Sequence, residues 1–232
     1  MRYFFTAILC LAFLSGCQTQ DVSSFWNKHS LDYSDIGSAE EQFADFALLA
    51  ASAPEHDAMM AMDVLFDKMK QDTVAYYIYT NWIDGSFYTI LSPCRNATLY
   101  SKAVDRITGD GIMNPNECEP FLKKREWIQY NRKGSLATVP GLYAKGTRTL
   151  VLVLDLGCPS CREALEKLSA DSQWDGLNKV AVGLGNGPAP DVQGWEYIFP
   201  ENGRVVFDIQ MTPVYFVIAA DGTVESGYTP AL

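Results

Sequence analysis

The apolar run TLVLVLDL at residues 149–156, followed at once by GCPSCREALEKL, constrains this chain more than any other stretch. A run without polar alternation suits a central strand covered on both faces. CREALEKLSA then has helical periodicity, with Cys161, Leu165 and Leu168 on one face. Cys158 therefore falls at the end of a strand and Cys161 in the first turn of a helix. Unpaired amides and the helix dipole stabilise a thiolate at such a position. Pro159 suits the first turn because its missing N–H has no helical partner there anyway. Cys161 points inward with the leucines and Cys158 outward. Thiol–disulfide exchange uses that asymmetry: the exposed thiolate attacks and the buried thiol resolves the mixed disulfide. Two other readings of the pair are a purely structural disulfide and half of a zinc site. A closed zinc site takes four ligands; Cys94 and Cys118 could complete it, whereas His29 and His56 lack ligand spacing.

The flanks extend the α/β reading. LNKVAVGLG, 177–185, is a second strand, and TPVYFVIAADGTVESG, 212–227, reads as two strands around an Asp-Gly turn. Trp195, Tyr197 and Phe199 alternate as in a strand packed on one side, with a peptide-binding surface as the other reading. GLGNGPAP, 183–190, lacks the Lys-Ser/Thr and helix context of a phosphate loop. Upstream the texture is helical. The spacing predicts helices over 38–52 with Ser38 as N-cap, over 54–70, 72–88 and 95–107, and over 118–134 ending at Gly134. The expected organisation is a helical domain over 31–134 and an α/β domain over 135–232, α+β overall. The oxygen-rich stretch DRITGDGIMNPNE, 105–117, does not place its carboxylates at EF-hand positions and reads as a polar loop.

Residues 1–17, MRYFFTAILCLAFLSGC, carry one early basic residue and a short apolar stretch ending in LSGC. This resembles a bacterial lipobox, which implies a signal peptide over 1–16 and lipidation of Cys17, with 17–30 as tether. An ordinary secretion signal and a retained anchor are the alternatives. Several acyl chains on one residue give stable membrane attachment. Gln18, in place of the aspartate of an inner-membrane retention signal, points to the outer membrane. The net charge of −10 and the lack of a basic stripe leave nucleic-acid binding without electrostatic support. Of the six cysteines, Cys94, Cys118, Cys158 and Cys161 remain beyond Cys17, and an even set outside the cytoplasm reads as two disulfides. A Cys94–Cys118 bridge would contribute about 3 kcal/mol by closing the loop between them.

CPSC after TLVLVLDLG, together with MTPVYFVIAADGTV at 211–224, resembles the thioredoxin-like superfamily. The resemblance implies that Pro213 is a cis-proline facing the dithiol. It also implies that the Thr212 backbone pairs with substrate chain, making Thr212 and Pro213 a substrate platform. Nearly the whole chain is similar to Bacteroidetes lipoproteins with an uncharacterised helical N-terminal domain and a thioredoxin-like domain. FWNKHSLDYSD, EEQFADFALLAASAP and LSPCRNATLYSKAVDRI carry that similarity. There are departures. Gly157 precedes the first cysteine where thioredoxin has tryptophan, and Leu152 stands where a buried carboxylate assists the resolving thiol. Asp155 is the nearer acid, expected on the opposite side of the strand. The segment before the apolar run is short, and GYTPAL leaves little room for a C-terminal helix, so either the helical domain covers that sheet face or the fold is pared down. The expected function is a membrane-anchored thiol–disulfide oxidoreductase of the cell envelope. Cys158 would be nucleophile and Cys161 resolver, with no dissociable cofactor or metal, and its partners would be envelope protein thiols or disulfides and a redox partner. The alternative is a noncatalytic envelope adaptor on a thioredoxin-like scaffold.

Overall fold

Apolar spacing and side-chain caps together set the helices of the first half. In the computed structural model, which describes residues 21–139, 141–185, 187–201, 203, 207 and 210–231, this half forms α1 (Phe25–Lys28), α2 (Ile36–Ser52), α3 (Glu55–Met69), α4 (Thr73–Ile83), α5 (Ala97–Gly109) and α6 (Pro115–Trp127). The expected signal peptide and Cys17, the expected lipidation site, lie outside the described residues. Helix α2 begins before Ser38, because Asp35 accepts the amides of Gly37 and Ser38 and is itself the N-cap. Asp72, Asn96 and Asn114 cap α4, α5 and α6 in the same way. The expected helix over 72–88 divides: α4 stops at Ile83, and Asp84–Tyr88 form a π-helical turn. The last helix lies earlier than expected, starting at Pro115 and ending at Trp127, after which the chain turns at Asn131 with φ 47°. Phe43, Phe46, Met62, Leu65, Phe66, Tyr76 and Tyr79 fill the core between these helices. Each such phenylalanine, methionine or leucine side chain contributes about 1.5–3 kcal/mol on burial. The methionines here are packing groups.

The second half forms one five-stranded sheet in the order β3-β2-β1-β4-β5. Strand β1 (Thr149–Asp155) lies at its centre, parallel to β2 (Asn178–Leu184) and antiparallel to β4 (Val214–Ile218). The edges are β3 (Glu196–Ile198), parallel to β2, and β5 (Thr229–Pro230), antiparallel to β4. Burial on both faces explains the unbroken apolar run. Leu150, Leu152 and Leu154 pack with Leu165 and Leu168 of α7 (Pro159–Ala170), whereas Val151 and Val153 face the opposite core with Leu142 and Phe216. On that second face the described cover includes the coil around Leu142 and Tyr143, Phe207 and Met211, joined by Ile90 from the helical half. The Asp-Gly turn forms, and Gly222 has φ 94° with the Tyr143 hydroxyl occupying the space a Cβ would need. Its second arm is not a continuous strand, however. Val224 makes an isolated bridge to Ile218, the Ser226 hydroxyl takes the Val217 amide, and ladder pairing resumes only at Thr229.

Candidate functional site

Strand β1 ends at Asp155 and α7 begins at Pro159, so the intervening turn places Cys158 at the N-cap position. The Asp155 carboxylate accepts the Gly157 amide at 3.1 Å and shapes this turn. Cys158 is partly exposed and Cys161 is buried, the inequality that the helical spacing predicts. The Cys158 sulfur lies 2.9 Å from the Ser160 hydroxyl. That hydroxyl, then the backbone amide and thiol of Cys161, hold the Cys158 thiol below the ordinary cysteine range. Burial pushes the Cys161 thiol up. Its sulfur accepts the Asp155 amide at 3.3 Å and lies within hydrogen-bonding reach of the Thr212 side chain. The Thr212–Pro213 peptide is cis. The structure thus brings Cys158, Ser160, Cys161 and Thr212 together, with Pro213 next in the chain. It can support attack by a partly exposed, stabilised thiolate backed by a buried thiol.

Leu152 is fully buried in the same cluster as Cys161, with no carboxylate in its place. Asp155 reaches Cys161 through its backbone amide, while its carboxylate lies against Gly157 and Gly185. Ser160 was not expected from the sequence; its signal was a hydroxyl between the cysteines, in the first helical turn. Among the described residues no group of three or more His, Cys, Asp or Glu is arranged to hold a metal ion. Also among them, no helix is long and apolar enough to cross a membrane.

The expected Cys94–Cys118 bridge is not formed: both thiols are free and buried. Cys94 precedes α5, whereas the Cys118 sulfur lies 3.7 Å from the carbonyl oxygen of Ile107 near the far end of that helix. Ala97 and Ile107 are separated by roughly 15 Å of helix. A disulfide needs its Cα atoms within about 7 Å. Burial pushes both thiols above the ordinary range.

A helical bundle followed by a mixed sheet with a dithiol turn and a cis-proline loop is a thioredoxin-like architecture with an N-terminal helical part. No protein-family model and no curated protein matches the chain. The fold is similar to that of a thioredoxin-like protein from Bacteroides caccae ATCC 43185, with TM-score 0.74 and 17% identity over 90% of this chain and 87% of that one. The C-terminal domain of an uncharacterized protein from Bacteroides fragilis NCTC 9343 aligns over 44% of this chain and 90% of its own, with TM-score 0.33 and 14% identity. The first likeness establishes the fold.

Proposed function

We propose that this chain is a thiol–disulfide exchange protein of the cell envelope, held to a membrane by lipid on Cys17 and acting on dithiols or disulfides of envelope proteins. The observation that carries the reading is the unequal cysteine pair. Cys158 is accessible and its thiol is lowered by Ser160, while Cys161 is buried and its thiol raised. In the reducing direction the Cys158 thiolate attacks one sulfur of a substrate disulfide. A mixed disulfide forms and the other substrate sulfur leaves with the bonding electron pair. Cys161 then gives up its proton, which the departing thiolate takes, and attacks the Cys158 sulfur. The second substrate sulfur is released as a thiolate, and the substrate gains the two electrons that the Cys158–Cys161 pair loses. The reverse sequence oxidises a substrate dithiol, and relative reduction potentials decide between them. By the family resemblance, the Thr212 backbone and Pro213 would hold the substrate chain beside the sulfurs.

Leu152 favours a second reading. No carboxylate stands on the buried side of β1 next to Cys161 to take its proton, as a noncatalytic adaptor on this scaffold would tolerate. Alkylation of Cys158 across pH and glutathione buffers separates the two. The exchange reading expects a midpoint below that of an ordinary thiol, raised in Ser160→Ala, and reversible Cys158–Cys161 cycling. It also expects Cys161→Ser to accumulate mixed disulfides with envelope proteins. An inert Cys158, or a disulfide that never equilibrates with glutathione, leaves the adaptor.

A further inference from the structure

Where the helical half meets the sheet there is a cavity of about 390 Å³, walled by the chain before and at the start of α5, the segment after α6, and Gly227 and Tyr228. We propose that this cavity binds a small organic oxyanion, a carboxylate or phosphate ester on a compact apolar body. The first argument is charge. The chain carries a net −10, yet its lining among the described residues contains Arg95, Arg132 and Lys133 and neither Asp nor Glu. Arg95 is engaged, donating to the Tyr88 carbonyl and resting over the Tyr88 ring. The other two cations differ from their neighbours: Lys70, Lys102, Arg106, Lys124 and Arg125 of the helical half all pair with aspartates. Arg132 and Lys133 are exposed and make no ion pair among the described residues. Two cations left beside a concave surface in an acidic protein create a local potential opposite to that of the whole chain.

The second argument is the rest of the wall. Ser92 lines the cavity with a hydroxyl that accepts the Cys94 amide at 3.1 Å. Thr98, in the first turn of α5, adds another hydroxyl to the lining. Asn131 is fully buried with φ 47°, and its amide reaches the Tyr228 hydroxyl at 3.4 Å, joining the two halves across the cavity wall. A buried non-glycine residue in the left-handed region persists where surrounding structure fixes it, often at a ligand site. Here it immediately precedes the two cations that make no ion pair among the described residues. Ile90 and Ile128 supply apolar wall. The volume falls in the range of small-ligand sites.

The test is calorimetric titration of the chain with phenyl phosphate, benzoate and the neutral benzyl alcohol. The expected result is saturable one-site binding of at least one anion, weakened by salt, with benzyl alcohol far weaker. Comparing phosphate and benzoate identifies the preferred headgroup. Because both side chains are exposed, R132A/K133A should fold normally by circular dichroism, and it should lower affinity about tenfold or more. The proposal is overturned if neither anion saturates, if benzyl alcohol binds as well as the anions, or if the folded double variant keeps wild-type affinity. The dithiol is not part of this site, so Cys158→Ser should leave binding unchanged even if the exchange function fails.

Discussion

At the residue scale, the cysteines divide by environment. Cys158 is held low by the Ser160 hydroxyl, whereas burial raises Cys94, Cys118 and Cys161. The consequences for stability have opposite signs. A thiol lowered in the folded chain contributes stability that is present above the unfolded pKa and is lost as pH falls through the folded value. A thiol raised by burial keeps its proton after the unfolded chain has lost it, so stability falls as pH rises beyond the unfolded cysteine value of about 8.5. With three raised thiols against one lowered, the reduced protein is expected to lose stability in the window above about pH 8.5. Urea midpoints across that window check this, and a flat or rising curve rejects it. The sequence made the contrast between Cys158 and Cys161 legible through helical spacing. It did not reveal the depths of Cys94 and Cys118, because those depend on which ends of α5 they adjoin.

At the element scale, caps decide where helices begin. Asn114 and Glu117 form a reciprocal capping box at α6, and the Glu117 carboxylate also accepts the Tyr77 hydroxyl at 3.0 Å. The oxygen-rich segment before α6 is thus partly helix-capping chemistry. Asn114→Ala should cost about 1 kcal/mol, read as a lower urea midpoint with an unchanged slope; an unchanged midpoint would show that the cap contributes nothing. The run 149–156 was legible as a strand because both of its faces are buried, and α7 because its leucines share a face. Several boundaries were not. Asp35 displaced Ser38 as N-cap by reaching two amides, and the π-helical turn at Asp84–Tyr88 interrupts an otherwise apolar helical pattern. The hairpin failed to continue because the Ser226 side chain replaces a backbone acceptor, a substitution that apolar alternation cannot report.

At the scale of the whole molecule, the cis-proline loop is tied to the helical half. The Gln210 carbonyl oxygen accepts the Ile90 amide at 2.9 Å, and its amide donates to the Tyr88 carbonyl at 3.3 Å. Ile90 belongs to the sheet-side core although the chain reaches it before α5. The helical half therefore supports the segment that leads, two residues later, to Thr212, whose side chain faces the Cys161 thiol. This connection was invisible in the sequence because its partners are separated by 120 positions. Gln210→Ala removes both bonds and leaves the Ile90 amide without its acceptor. A buried amide so deprived costs about 1–3 kcal/mol. If the support is local, hydrogen exchange should quicken at Ile90, Met211 and Thr212 beyond the change seen for amides in the middle of α3. A uniform change across all these sites would mean that Gln210 stabilises the molecule as a whole without holding the loop in particular. No change at Ile90 would remove the bond itself from the account. In Cys161→Ser, where mixed disulfides can be trapped, the same substitution should reduce capture of protein partners more than alkylation of Cys158 by a small reagent, since only the larger partner needs the loop.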